Sequence, residues 1–323
     1  MPKAIVVERT GGPEALQLAE RDPGAPGPGQ LRVRVAAAGV NFIDVYFRTG
    51  LYPRPLPFVA GLEGAGRVEA VGPGVGGFAP GDRVAWASAP GSYAEVVAAP
   101  AAQLVAIPNG VADDLAAAAM LQGMTAHYLV HALREPRPGD VALVHAASGG
   151  TGLLLVQLLK RAGVRVIGTC SSEAKAALAR EAGAERVVRS DREDFAAAAR
   201  AETGGRGVDV VYDGVGRATF DGSLASLRPR GLLALFGQAS GPVPPFDLQR
   251  LNSGGSLMLT RPSLAHFVAT REELELRAGA VLSAIADGSL RVRVGARFPL
   301  AEAAAAQRAL ESRATSGKVL LIP

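Results

Sequence analysis

The spacing with the clearest chemistry lies in residues 141–160, where four apolar residues lead into the cluster Gly149-Gly150-Thr151-Gly152 and then an amphipathic, largely apolar run. A strand that breaks at such a cluster and passes at once into a helix is suited to a dinucleotide pyrophosphate. Gly149 and Gly152 are expected to let the backbone turn sharply and a phosphate approach the first free N–H groups of the helix, whose positive dipole end attracts the anion. Ala147 stands where the first glycine of G-x-G-x-x-G would be. The motif therefore reads A-x-G-x-x-G, and the surrounding elements must decide its meaning.

A second set lies at the end of the next apolar run, Thr169-Cys170-Ser171-Ser172, with Lys175 one helical turn later. An acidic residue about 20 positions beyond the glycine turn would hold the ribose 2′-hydroxyl of NAD. No carboxylate occupies this tip. Two hydroxyls and a lysine suit a 2′-phosphate dianion, which an aspartate would repel, so the expected cofactor is NADPH. The competing reading makes Ser171 or Ser172 a helix cap and leaves Lys175 solvated. Glu173 falls in the first helical turn, where the dipole favours a carboxylate.

The elements that must position these groups alternate regularly. Strands are expected at 165–171, 187–190, 208–216, 231–237 and 256–260, with helices at 173–182, 192–202 and 219–227. That alternation is the layout of a doubly wound parallel sheet. Before it, strands with period-two alternation are expected at 31–36, 66–71, 82–87 and 92–97, separated by Gly-Pro turns, so the opening part reads as a compact, mostly β domain. An Ala-rich helix at 112–132 joins the two. Strands at 291–298 and 318–322, with a helix at 301–313 between them, are expected to return to the first domain. The reading is an α/β protein with domain boundaries at 1–124, 125–262 and 263–323.

Length and composition agree with that division and exclude other classes. At 323 residues the chain exceeds the size at which a single core keeps growing. It has no run of about 18 apolar residues, no basic-then-apolar leader and one cysteine, so a cytoplasmic, disulfide-free protein that does not enter a membrane is expected. The formal charge of +4 is spread without a block, and aromatics are 5%. Both weigh against a nucleic-acid surface. Glycine, at 40 residues, punctuates short apolar segments without a fixed period, which signals many turns and no solenoid.

The chain resembles the zinc-independent quinone oxidoreductases, the zeta-crystallin-like family of the medium-chain dehydrogenase/reductase superfamily. The likeness runs end to end. It includes Gly11-Gly12-Pro13-Glu14, the segments 39–44 and 48–53, Gly61-Leu62-Glu63-Gly64, Gly81-Asp82-Arg83-Val84, the glycine turn, the segment 211–216, Thr260-Arg261-Pro262-Ser263 and the closing segment 310–318. The resemblance implies a GroES-like catalytic domain, a Rossmann domain, a cleft between them, NADPH as hydride donor and a homodimer.

The superfamily's alcohol dehydrogenases hold a catalytic zinc, which needs three or four closely placed Cys, His or carboxylate ligands. Where those relatives have a cysteine this chain has Asn41, and where they have the histidine of Gly-His-Glu it has Leu62. Near the third ligand it reads Leu121-Gln122-Gly123, and no four-cysteine lobe is present. His127 and His131 are four apart, a spacing too common to outweigh three missing ligands. No metal is expected. Without a Lewis acid the acceptor should be one in which new charge delocalises, such as a quinone, so positioning beside the nicotinamide does most of the work.

By the resemblance, Asn41, Asp44, Tyr46 and Tyr52 form the catalytic wall. Asn41 would orient the nicotinamide or an acceptor oxygen, and the tyrosines would flank a planar ring or donate a proton; Asp44 could equally cap a turn. Gln122 and Thr125 would lie near the nicotinamide ribose, and Arg261 would be a positive wall or a surface ion pair. Gly149, Gly150 and Thr151 match the pyrophosphate site, and Ser171 and Lys175 the 2′-phosphate site. Gly214 follows the fourth strand, Phe236, Gly237 and Gln238 end the fifth, and Arg313 would reach back to the cofactor. Two positions depart from the family: Ser190 replaces a tyrosine that can stack on adenine, leaving Arg189 or Arg192 for that task, and Gly214 replaces a serine.

The expected activity is therefore NADPH-dependent quinone reduction. The alternatives are reduction of an enone or alkenal double bond, with Tyr46 or Tyr52 as proton donor, and a non-catalytic NADPH-binding protein of crystallin-like or RNA-binding type. Pairing of two copies through residues 256–260 is expected from their place as the last strand at an edge of the sheet.

Overall fold

The computed structural model describes residues 1–323 and divides them into two compact units, Met1–Met124 with Val268–Pro323, and Thr125–Phe267. Helix Asp113–His131 carries the chain from the first unit into the second.

The second unit is a parallel sheet of six strands, spatially ordered Arg186–Arg189, Arg165–Cys170, Val141–Val144, Val208–Asp213, Leu227–Leu235 and Met258–Thr260. In chain order this is 3-2-1-4-5-6, the Rossmann arrangement, and the order reverses at Val141–Val144. Such a switch point leaves a crevice beyond the carboxyl ends of the strands. Val141, Ala142, Leu143 and Val144 are all buried, as a strand covered by helices on both faces requires. Helix Gly150–Arg161 follows immediately and buries Leu153, Leu154, Leu155, Val156, Leu158 and Leu159.

The first unit is built on a seven-stranded sheet whose spine is the long strand Gln30–Val40. Alternation is visible only in its first half. Ala37, Ala38, Gly39 and Val40 are buried one after another, because the strand runs on between two neighbours. One is Glu63–Val71, in which Glu63 pairs with Gly39. The other is the last strand, Lys318–Ile322, which pairs antiparallel with Val319 opposite Val40 and Leu320 opposite Gly39. Continuing that register by one residue sets Lys318 across from Asn41. Val294–Pro299 lies parallel to the last strand on its other side.

Two departures from the sequence expectation bear on the site. The strand expected at 92–97 is Val96–Pro100, because the backbone N–H groups of Ser92 and Tyr93 bond instead to Gly61 O and Ala60 O. Ser92 accepts from the Trp86 indole at 2.8 Å, and Tyr93 donates to Asp44 at 2.8 Å. The segment holding Asp44 and Tyr46 is a helix, Phe42–Thr49, closed by Gly50 in the left-handed conformation. No helix of the structure is long and apolar enough to cross a membrane.

Candidate active site

The candidate residues fall into two groups, one in each unit. In the first, strand Gln30–Val40 delivers Asn41 to the start of helix Phe42–Thr49. Asp44, one turn on, turns its Oδ2 back to accept from the Asn41 N–H at 2.9 Å, which satisfies a helix-start donor. The same Oδ2 accepts from the Tyr93 hydroxyl at 2.8 Å, while Oδ1 is buried and has no partner. Burial dominates the Asp44 carboxyl and pushes it up to about 7, against the lowering bonds from Tyr93 and Asn41. Burial, then the Asp44 charge, holds the Tyr93 phenol well above its ordinary value. Asp44 thus has the contacts of a helix-capping group.

Asn41 sits in a buried ionic network that no sequence spacing announced. Lys318 and Glu63 form an ion pair with side chains 1% and 0% exposed, so the pair is wholly removed from water. Lys318 Nζ also donates to Asn41 Oδ1 at 2.7 Å, and Asn41 Nδ2 donates to Glu63 Oε2 at 2.7 Å and Gly39 O at 3.3 Å. Glu63 Oε1 accepts from the Leu121 N–H at 2.6 Å. An ammonium on one side and a carboxylate on the other fix which end of the Asn41 amide is oxygen. Gln122 Nε2 reaches Asn41 Oδ1 at 3.4 Å, and Gln122 Oε1 is buried without a partner. Gly39 has to be glycine, since a Cβ there would lie 2.2 Å from Glu63 Oε2.

Tyr46 is buried and Tyr52 half-buried, their rings edge to face at a centroid distance of 5.2 Å. The Tyr52 N–H donates to Tyr46 O at 3.0 Å, which holds the loop after the helix against its last turns.

In the second unit the turn geometry corrects one expectation. Gly149 has an extended backbone (φ −72°, ψ 169°), and the left-handed residue is Ala146, at φ 49°. The Ala146 N–H is held by Thr169 Oγ1 at 3.3 Å. Glycine is needed at 152 for close approach instead, because a Cβ there would stand 2.3 Å from Ala146 O and 2.8 Å from Ala147 Cα. No side chain caps helix Gly150–Arg161, so the N–H groups at Gly150 and Thr151 are presented to a ligand. The residues present fit a dinucleotide pyrophosphate.

Beneath that turn runs a buried chain of side chains. Thr169 Oγ1 lies 3.1 Å from His145 Nδ1, His145 Nε2 lies 3.0 Å from Ser223 Oγ, and Ser223 donates to Asp213 Oδ2 at 2.8 Å. A serine has one proton to give, so Ser223 accepts from Nε2–H, and in the neutral imidazole Nδ1 accepts from Thr169. Burial lowers the His145 pKa and the Asp213 charge partly opposes it. Asp213 Oδ1 accepts from the Val215 and Gly216 N–H groups at 2.8 and 3.0 Å, which shapes the loop after the fourth strand. At Gly214 a Cβ would meet the edge of the Phe236 ring at 2.9 Å, so a larger residue would require that ring to shift.

At the second strand's end, Ser172 accepts from the Lys175 N–H at 3.3 Å and caps helix Glu173–Ala182, leaving Ser171 exposed. Ser190 donates to Cys170 O at 3.2 Å. Arg189 grips Asp191 at 2.9 and 2.7 Å and reaches Glu173 at 3.5 Å, bonds that engage the N–H edge of its guanidinium. Thr125 is buried, Gln238 and Phe236 are half-buried, and Arg313 has a left-handed backbone at φ 59°. No group of three or more His, Cys, Asp or Glu could hold a metal ion.

The alcohol dehydrogenase GroES-like domain family matches residues 27–109, and the zinc-binding dehydrogenase family matches residues 150–278. The chain is similar to the quinone oxidoreductase of Pseudomonas aeruginosa, 45% identical with all of both chains covered. It is similar to the 2-haloacrylate reductase of a Burkholderia species, 43% identical over 100% of this chain and 99% of the other. Among solved structures, a mycobacterial protein complexed with NADPH is 51% identical with a TM-score of 0.97, covering 99% of this chain and 100% of that one. The chain belongs to the quinone oxidoreductase family of the medium-chain dehydrogenases/reductases.

Proposed function

We propose that the protein is an NADPH-dependent quinone oxidoreductase. The observation that carries this is the end-to-end likeness to an NADPH-bound structure, joined to a dinucleotide turn in which Gly152 leaves no space for a side chain. NADPH supplies two electrons and one proton as a hydride, and a second proton from a side chain or water completes the hydroquinone.

The second domain, 125–262, would hold the cofactor, with Gly149, Gly150 and Thr151 on the pyrophosphate and Ser171 and Lys175 on the 2′-phosphate. The segments 1–124 and 263–323 would supply the acceptor side. Tyr46 and Tyr52 flank the planar acceptor. All the polar atoms of the Asn41 amide are engaged within the protein, which supports a fixed polar floor in place of a direct proton donor. Gln122 Oε1 is free to accept from the nicotinamide carboxamide, and Thr125, Ser190, Gly214, Phe236, Gly237, Gln238, Arg261 and Arg313 complete the cofactor assignment.

The 2-haloacrylate reductase among the relatives favours one second reading, in which a conjugated carbon–carbon double bond takes the hydride and Tyr46 or Tyr52 protonates the neighbouring carbon. Following NADPH oxidation with 1,4-benzoquinone against 2-alkenals separates the two; turnover with neither removes both. We further propose a homodimer formed at strand Met258–Thr260, which ends the six-stranded sheet and leaves Met258 48% exposed; sedimentation as a monomer alone would remove it. The single buried thiol fits a reducing, cytoplasmic location.

A further inference from the structure

The end of helix Phe42–Thr49 and the loop that follows it carry two arginines of opposite circumstance within seven residues. Arg48 is 1% exposed and saturated, donating to Gly11 O, Gln307 Oε1 and both Glu311 oxygens at 2.8–3.2 Å. Arg54 is half-buried, and its guanidinium carbon stands 4.6 Å from the Phe58 ring centroid and 5.4 Å from that of Phe47. Those two rings attract the cation but satisfy none of its five donors, and no carboxylate pairs with it. The Phe47 ring in turn meets Tyr52 edge on at 6.0 Å, and Tyr52 meets Tyr46 at 5.2 Å. A single aromatic bank therefore runs from the two tyrosines to the guanidinium.

We propose that Arg54 determines acceptor specificity, taking the carboxylate of an anionic conjugated acceptor while the Tyr46 and Tyr52 rings lie against its conjugated system. This deepens the quinone reductase reading and rests on it. The physical reason is incomplete solvation. Burial lowers the Arg54 pKa, opposed only by the charge of Asp44, whose Oδ2 is engaged with Tyr93 and the Asn41 N–H and which forms no ion pair with Arg54. A cation partly removed from water and lacking a paired counter-charge gains most from a planar anion that accepts two parallel N–H bonds.

The test compares a benzoquinone carboxylate with its methyl ester, both assayed by NADPH oxidation. The unaltered enzyme is expected to favour the acid by about tenfold or more in kcat/KM. In Arg54→Met the ratio should fall to near one, and Arg54→Lys should restore part of it, because an ammonium keeps the charge without the fork. The ratio is unmoved by a general loss of fold or activity, which both acceptors share. Equal kcat/KM for acid and ester in the unaltered enzyme, or a preference that survives Arg54→Met, overturns the proposal while quinone reduction stands. Failure to oxidise NADPH with the acid, the ester and 1,4-benzoquinone overturns the reductase reading itself.

Discussion

Lys318 Nζ donates to Asn41 Oδ1 at 2.7 Å although 277 residues separate the two in sequence. The return of the tail to the first sheet therefore supplies a buried cation to Asn41. Register makes the contact unavoidable, since Val319 opposite Val40 and Leu320 opposite Gly39 leave Lys318 facing Asn41, and Gly39 paired with Glu63 brings the balancing carboxylate.

Removing one member of this pair should be far worse than removing both. Lys318→Met leaves Glu63 ionised in a site closed to water and is expected to cost about 3–5 kcal/mol. Lys318→Met with Glu63→Leu should recover a large part of that loss, because no charge is stranded. Urea unfolding midpoints of the two variants decide; additivity of the two single losses would mean that the ions are not energetically paired.

Gln122 is the polar group of the network with an unused atom. If its Oε1 accepts from the cofactor, Gln122→Ala should weaken NADPH binding by about threefold to tenfold, the worth of one hydrogen bond of roughly 0.5–1.5 kcal/mol. The KM for the quinone should change much less. Fluorescence titration with NADPH measures the effect, and an unchanged dissociation constant would remove Gln122 from the cofactor assignment.

The sheet that carries the cofactor turn was legible because its strands are continuous apolar runs and its turns are glycines: helix Glu173–Ala182 ends at Gly183 in the left-handed conformation as expected. The site in the first unit was less so. Asn41 and Asp44 drew attention through a family likeness, but Glu63, Tyr93 and Lys318 lie on three different strands or loops, and only pairing register brings them together. Helix Phe42–Thr49 is rich in aromatic and β-branched residues, whose helix propensity is low, so propensity did not mark it although its residues are amphipathic at helical spacing. Its start is set by the Asp44 bond to the Asn41 N–H. At the glycine turn the motif pointed to the right place for a different reason, since Ala146 takes the left-handed conformation and Gly152 provides clearance.

Asp44 gives stability a pH dependence of defined sign. Its folded pKa, about 7, lies above the value near 3.8 in an open chain, so between pH 4 and 7 the folded state binds more protons than the unfolded one. The stabilisation is full below about pH 4 and is lost as pH rises through 7. Asp44→Asn, which keeps an oxygen for Tyr93 and carries no charge, should remove this fall. Chemical denaturation from pH 4 to 8 is the measurement, and a difference curve with no slope across that window would exclude a raised Asp44 carboxyl.

His145 should act in the opposite direction over part of the same range. Burial lowers its pKa, so as pH drops below the ordinary imidazole value of about 6.5 the unfolded chain takes up a proton that the folded protein resists. Stability from the neutral ring is full above that value and declines on acidification. The geometry adds a cost: a protonated Nδ1 would have to donate to Thr169 Oγ1, which already receives the Ala146 N–H, so the Thr169 hydroxyl proton must be re-aimed. Because Ala146 is the strained residue of the dinucleotide turn, NADPH affinity should weaken with stability as the pH falls. Burial lowers the pKa of His131 too, and Asp44 slopes the other way, so the effect is read as the difference between the unaltered protein and His145→Gln. Stability and NADPH affinity of the variant should both vary less between pH 5 and 7, and parallel pH profiles for the two proteins would show that the ring does not govern the turn.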